Sequence, residues 1–377
     1  MEKVFILAFY DKDDKHTNVV LSAVNKLNYL IDVLSEAGLA IHIISPSLSA
    51  EKKRIKGRNE VLKEGVTLKT FDSLPGGKAL KRFIRRKHVY SQLKKYLKEN
   101  LSAGDTVIIY HSLGYYKFYK WLKEELKVKI ILEIEEIYSD VGKTRFVTRE
   151  KEINSFSYAD AYIFPTQLLD NVVNSEKKPS VIIHGTYCVE EKCGQPFQDG
   201  RVHVVYAGTF DPRKGGVQAA AAAAEFLTGK YHMHILGFGS DDDKNNLLKT
   251  IKEVSEKTEC KVTFDGLKSG EEYIKFIQSC DIGLSTQNPD AAFNATSFPS
   301  KILSYMANGL RVVSIRIPAI EQSAIGKYMY YYDNQTPEEI AKAIMQVDLN
   351  DGYDSRKVIE DLDERFTREL AELLKKV

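Results

Sequence analysis

The sequence is short of the features that make several functions easy to assign. Its four cysteines, Cys188, Cys193, Cys260 and Cys280, are scattered over 377 residues. They form no paired CxxC motif and no histidines cluster beside them, so linear spacing gives neither a disulfide framework nor a zinc site, and no metal is expected. There is no run of roughly 18 apolar residues, which argues against a membrane-spanning helix. The opening MEKVFILAFY meets Asp and Lys too soon for a signal peptide and reads as a first strand. Reduced, structural thiols and a cytoplasmic location are the expectation. The net charge of +2 gives no general affinity for nucleic acid. GxGxxG is missing after Val4–Tyr10, which runs into DKDDKHTN, and GxxxxGKS/T is missing throughout. These two absences disfavour nicotinamide, flavin and P-loop chemistry.

What is present is an alternation. Apolar runs at Val4–Tyr10, Ala40–Ser45, Thr106–Tyr110, Lys129–Ile134, Ala161–Phe164 and Ser180–Ile183 are separated by helical patterns such as Asn18–Ala37 and Tyr115–Leu126. Val202–Ala207, His232–Leu236, Lys261–Phe264, Asp281–Ser285 and Leu310–Ile315 repeat the logic. The pattern predicts an α/β chain with two parallel sheets, each covered by helices on both faces. HGTYCVEEKCGQPFQDG, residues 184–200, is polar and aperiodic and reads as a linker. The expected division is residues 1–187, a linker at 188–200, a second domain at 201–350 and a terminal helix at 351–377.

Three loops of the second half follow predicted strands, where open α/β sheets bind ligands. AGTFDPRKGG brings Gly208 and two cations, Arg213 and Lys214, to a helix start at Gly215, which reads equally as a seat for phosphate or as a solvated loop tip. The six consecutive alanines after it, in QAAAAAAEF, let that helix pack close to its sheet. LGFGSDDDK offers backbone approach at Gly237 and Gly239, although a tight turn explains the same letters. FDGLKSGEEY offers Phe264, Gly266 and Leu267 as a flat slot for a base, or simply a core phenylalanine and a turn glycine. In FNATSFPSKILSYMANGLRVVSI, Thr296, Ser297 and Lys301 surround a further helix start with Pro299 in its first turn.

Taken together, these pieces resemble the nucleotide-binding half of retaining GT-B glycosyltransferases, the family 4-like group (glycosyl transferases group 1). GTFDPRKGG matches its G-x-x-x-x-R-K-G loop, ILGFG its G-x-G and VTFDG its F-x-G. FNATSFPSKILSYMANGLRVVS is similar to its FPSK-x-x-E-Y-x-A-x-G-x-P-V-V variant, and VIIHGTY to its VI-x-N-G turn. Two departures stand out: the glutamates of E-x7-E fall on Thr296 and Ser304, and the arginine that often follows the first loop glycine is Thr209. The resemblance implies two Rossmann-like domains facing each other across a cleft, with the last helix crossing back. It also implies sugar transfer with retention from a UDP- or GDP-sugar to a glycan or lipid-linked acceptor, in polysaccharide or glycoconjugate assembly, with no cofactor and no essential metal. Lys214 matches the family lysine that neutralises the diphosphate, and Ser304 stands where a glutamate grips the ribose.

In the first half, His111 follows the strand Thr106–Tyr110, where family members carry a histidine beside the reacting sugar; a structural strand-end histidine explains it equally well. His16, Thr17 and Asn18 follow the first strand, with Asn18 also the expected helix N-cap. Glu133, Glu135 and Glu136 read as loop salt bridges or as an acceptor grip. Residues 78–98 hold nine Lys/Arg and no acid, with Leu80, Phe83, Ile84, Leu93 and Leu97 at near-helical spacing. That is either a solvated face or a peripheral contact with an anionic membrane. The alternatives to sugar transfer are a catalytically silent GT-B relative, which the Thr296 and Ser304 departures favour, and a non-hydrolysing sugar-nucleotide epimerase.

Overall fold

The computed structural model describes residues 2–12, 17, 19–50, 53–142, 147–211 and 215–377. By internal packing the chain divides into two compact units. The first is Met1–Pro165, Leu169–Ile183 and Arg365–Val377; the second is Thr166–Leu168 and His184–Glu364.

Unit 1 is built on eight strands: β1 (Lys3–Leu7), β2 (Ala40–Ser45), β3 (Asn59–Lys63), β4 (Val66–Thr70), β5 (Thr106–Tyr110), β6 (Lys129–Glu133), β7 (Ala161–Phe164) and β8 (Ser180–Ile182). They lie in the order β3-β4-β2-β1-β5-β6-β7-β8, and every pairing is parallel except β3 with β4. The central strands are near-continuous apolar runs because both faces are covered. Val107, Ile108 and Ile109 of β5, for instance, are all fully buried. Each such side chain contributes roughly 1.5–3 kcal/mol through burial.

Unit 2 has six strands: β9 (Val202–Thr209), β10 (Tyr231–Phe238), β11 (Lys261–Gly266), β12 (Ile282–Ser285), β13 (Arg311–Ile315) and β14 (Met329–Tyr332). Their order is β11-β10-β9-β12-β13-β14, parallel throughout. The two parallel-sheet α/β units expected from the alternation are both present. The alanine run forms the helix Gly216–Ala223, with Gly215 as its N-cap at φ 63°. Ala220, Ala221, Ala223 and Ala224 are buried, and a Cβ on Gly216 would lie 2.4 Å from the Thr286 carbonyl oxygen. Small side chains therefore bring this helix against the sheet, as its composition predicts.

The first long helix is Leu21–Glu36 with Val20 as N-cap; Asn18, the expected cap, lies outside the described residues. Residues 184–200 contain no helix or strand, but they cluster with unit 2. Gln278 fastens them there: its Oε1 accepts from the backbone N–H groups of Cys193 and Gly194, and its Nε2 donates to the Glu191 carbonyl. The terminal helix Ser355–Lys376 is divided between the units, its residues from Arg365 onward belonging to unit 1. There Phe366 is buried and stacks on Tyr29 at 6.0 Å.

The basic stretch is the helix Ala79–Asn100, and its apolar residues do not share one face. Leu93 and Leu97 are fully buried in the unit 1 core, whereas Leu80, Phe83 and Ile84 are exposed by 72%, 66% and 49%. Among the described residues, no helix is long and apolar enough to cross a membrane.

Candidate functional site

In unit 2 the strand order reverses between β9 and β12: the chain moves outward from β9 to β10 and β11, then returns to the other side for β12, β13 and β14. Open parallel sheets bind ligands outside the carboxyl ends of the strands at such a switch point. Gly208 and Thr209 end β9, and the helix Gly216–Ala223 starts beside them. Lys301 opens the seven-residue helix Lys301–Ala307, after the N-cap Ser300.

The side chains that position this end are specific. A Cβ on Gly208 would lie 3.2 Å from Lys301 Nζ and 3.2 Å from the Tyr206 hydroxyl. Lys301 Nζ sits 4.2 Å from the centre of the Tyr206 ring, a cation–π contact that holds the ammonium at the strand end. Thr286, just past β12, donates its hydroxyl to the Gly216 carbonyl at 2.7 Å, tying the helix start to the switch point. The Tyr305 ring lies on Gly283 of β12, where a Cβ would be 2.3 Å from its Cγ, and its hydroxyl accepts from Ala207 N at 2.8 Å. The Ser297 hydroxyl is buried without a hydrogen-bond partner among the described residues, an arrangement that needs a physical reason because orphaned buried polar groups are rare.

The sequence-predicted residues are distributed as follows. Gly208, Thr209 and Lys301 come together at the carboxyl end of β9. The Thr296 carbonyl accepts from Thr166 Oγ1 at 2.6 Å, and Phe298 stacks on His184 at 4.8 Å. Gly185 of the VIIHGTY turn presses against this helix, since a Cβ there would be 2.7 Å from Leu303 Cδ1. Ser304 Oγ pairs with the Tyr273 hydroxyl at 3.3 Å. Gly237 ends its run at φ 136°, and a Cβ there would be 1.8 Å from the Gly208 carbonyl oxygen. Gly239 is crowded by Phe210, at 2.6 Å from the corresponding Cβ position. Phe264 and Gly266 lie in β11, with Phe264 half-buried and edge-on to Phe210 at 5.7 Å. Leu267 beyond them is 65% exposed. Arg213 and Lys214 lie outside the described residues.

Gly237 supports a direct test. Gly237→Ala has to displace the β9 backbone and adopt an unfavourable φ, an expected cost of about 2–3 kcal/mol. Hydrogen exchange of the β9 and β10 amides measures it, and unchanged protection contradicts the close approach.

In unit 1 the order reverses between β1 and β5, and His111 follows β5. It is 1% exposed with both nitrogens engaged: Nδ1 with the Tyr119 hydroxyl at 2.7 Å and Nε2 with Glu152 Oε1 at 2.8 Å. Glu152 also accepts from Tyr138 N and Ser139 N at 2.8 and 2.9 Å. Burial lowers the His111 pKa despite the Glu152 carboxylate. Burial works to raise Glu152, but its bonds to His111 and Ser139 carry it below its ordinary value. Of the two readings of His111, the geometry favours the structural one: in this structure it is enclosed and holds Glu152.

Nearby, Glu133 is buried at the end of β6, and Lys26 Nζ lies 2.9 Å from Glu135 and 4.0 Å from Glu133. Burial and the Glu135 charge hold Glu133 well above the usual carboxylate range. Of His16, Thr17 and Asn18, only Thr17 is described; its hydroxyl donates to Asp11 at 3.1 Å. Tyr206, Tyr305 and Tyr273 gave no site signal in the sequence because strand and helix aromatics read as core, and Thr286 gave none because a lone threonine after a strand reads as a loop residue.

Residues 201–349 match the family model described as Glycosyl transferases group 1. No curated protein matches the chain by sequence. Among solved structures, the chain is similar to a sucrose-phosphate synthase from Thermosynechococcus elongatus at 14% identity and TM-score 0.70, covering 100% of this chain and 99% of that one. It is similar to a trehalose-6-phosphate protein from E. coli bound with UDP-2-fluoro glucose at 12% identity and TM-score 0.64, covering 99% of each chain. It is also similar to a UDP-forming alpha,alpha-trehalose-phosphate synthase from Burkholderia xenovorans in complex with glucose-6-phosphate, at 12% identity and TM-score 0.67, covering 97% of this chain and 96% of that one. At these identities the likeness establishes the fold, which is GT-B.

Proposed function

We propose that this chain is a glycosyltransferase that takes a sugar from a nucleoside diphosphate sugar and passes it to a sugar-containing acceptor with retention. The observation that carries the reading is the ammonium of Lys301, held over Tyr206 beside Gly208 at the switch point of a sheet whose sequence matches the glycosyl transferases group 1 model. A fixed cation there meets the charge that develops on a departing diphosphate, the electrostatic contribution that dominates such transfers. Arg213 and Lys214, by their place in the motif, would add to it, as would the Ser297 hydroxyl and the backbone from Thr296. Phe264, Gly266 and Leu267 are the proposed base contacts and Ser304 the proposed ribose contact, a hydroxyl in place of the family carboxylate. His111 is proposed as a positioning residue rather than a catalytic one. UDP-sugars are the first donors to try, because structural neighbours carry UDP-2-fluoro glucose or are UDP-forming. A sugar phosphate, as in the glucose-6-phosphate complex, joins lipid-linked and glycan acceptors in the acceptor panel.

Release of nucleoside diphosphate from a panel of UDP-, GDP- and other sugar nucleotides tests the reading, with EDTA present to check that transfer needs no metal. Wild type releases diphosphate from at least one donor, and Lys214→Ala weakens binding of that donor by roughly 1.5–3 kcal/mol through a lost charge-assisted contact. Binding without release would make the chain a silent relative, and epimerised donor without acceptor would make it an epimerase.

The exposed Leu80, Phe83 and Ile84, set among Lys81, Arg82, Arg86 and Lys87, support peripheral contact with an anionic membrane. Vesicles containing phosphatidylserine are expected to co-float with wild type and to lose Phe83→Ser. Equal flotation with neutral vesicles or with the variant contradicts this.

A further inference from the structure

Three histidines cluster away from the carboxyl ends of the strands. His203 is the second residue of β9, and His232 and His234 are the second and fourth residues of β10. β9 and β10 pair with His203 opposite His232, so alternation along β10 brings all three imidazoles to one face. They are 2%, 5% and 2% exposed. One ring nitrogen of each lies within 4.8 Å of those of the other two. Five residues separate His203 from Gly208, roughly 16 Å along a strand. The cluster is therefore distinct from the donor end of the sheet.

The hydrogen bonds around this cluster are ordered in shells. His203 Nε2 lies 2.9 Å from Asp199 Oδ1, and His234 Nδ1 lies 3.0 Å from Asp265 Oδ2. The remaining nitrogens, His203 Nδ1 and His234 Nε2, face each other at 2.9 Å. Ionised carboxylates only accept hydrogen bonds, so each draws a proton to the nitrogen it faces. The two inward nitrogens then present lone pairs to one another, which is unfavourable unless a proton or a metal ion bridges them. Carboxylates on the outer nitrogens are also the arrangement that orients histidines bound to a metal. His232 Nε2 bonds Thr263 Oγ1 at 3.0 Å, which fixes the third ring. Phe197 covers the group, stacked on His203 at 4.1 Å and on His234 at 5.2 Å.

We propose that His203, His232 and His234 bind one zinc-class divalent transition metal ion, with Asp199 and Asp265 as outer partners. Imidazole donors suit zinc, copper and nickel better than calcium or magnesium. The ion is structural: Asp199 and Phe197 belong to the segment 184–200, and binding pins that segment to the sheet. The absence of a metal motif in the linear spacing does not conflict with this, because two of the ligands sit on one strand and the third comes from its neighbour. His-Met-His at 232–234 is the local signal that linear spacing offered.

The test uses the full chain, stripped with a chelator and titrated with Co(II) and then Zn(II). Wild type is expected to take up one equivalent of Co(II) with the visible absorption of a four-coordinate ion held by three imidazoles and a water, to lose that absorption to Zn(II), and to melt at higher temperature when loaded. His234→Asn abolishes uptake. Should that variant fail to fold, Asp199→Asn, at an exposed carboxylate, leaves the ligands in place and lowers metal affinity by about 10–100-fold. If wild type shows no stoichiometric uptake and no metal-dependent rise in melting temperature, or if Asp199→Asn binds as tightly as wild type, the proposal is overturned. The facing nitrogens then share a proton instead.

Discussion

Replacing Lys301 with methionine is expected to lower kcat/KM for sugar transfer by about 10²–10³-fold, the usual loss when one preorganised group opposite developing charge is removed. Methionine keeps most of the apolar stem and removes the ammonium, so packing near Tyr206 is largely retained. The charge acts in a partly buried position, since Lys301 is half-buried, and water screens it less than it would a surface lysine. Nucleoside diphosphate release gives the rate, and circular dichroism with thermal melting shows that the variant is folded. A folded variant with wild-type kcat/KM removes Lys301 from the mechanism.

Glu152→Ala is expected to destabilise unit 1 by roughly 3–5 kcal/mol, because three buried groups lose their charged acceptor at about 1–3 kcal/mol each. Glu152 is fully buried, and alanine abandons His111 Nε2 together with two backbone N–H groups. Trp121, the only tryptophan of the chain, lies in the helix Tyr116–Glu124 of unit 1 and reports this transition in urea separately from unit 2. The same probe tests a pH dependence. His111 has a folded pKa below its ordinary value near 6.5, so the unfolded chain takes up the proton first and unit 1 loses stability as pH falls below about 6.5. Glu152 is also depressed, so its contribution is present above about pH 4.3 and is lost as pH falls through its folded value. Both effects act in the acid direction. A loss below about 1 kcal/mol in Glu152→Ala, or a flat pH profile, contradicts the enclosed pair.

Much of the fold was legible because parallel strands covered on both faces must be apolar along their whole length. β2, β5 and β7 fall on their sequence-read limits for that reason. The hairpin of β3 and β4 was not legible: one face is exposed, and Glu60, Lys63 and Lys69 interrupt the apolar pattern that marks the other strands. β14, with three tyrosines in four residues, has a strand-favouring composition, but four residues are too few to show a period.

Glycine was the legible part of this end of the sheet: of the glycines singled out in the sequence, Gly237 and Gly239 each occupy a place that a Cβ would overfill. The aromatic supports, Tyr206 under Lys301 and Tyr305 against Gly283, depend on contacts between distant segments that spacing does not encode. His111 shows the converse. A histidine after a strand looks open to substrate until Glu152, 41 residues later, is seen to close over it.

The most direct measurement is where the phosphates of a UDP-sugar lie when it is bound to the full-length protein in a crystal. The proposed function predicts the diphosphate at the carboxyl ends of β9 and β12, with an oxygen within hydrogen-bond distance of Lys301 Nζ. A nucleotide bound at any other edge of the sheet, with Lys301 out of contact, would contradict it.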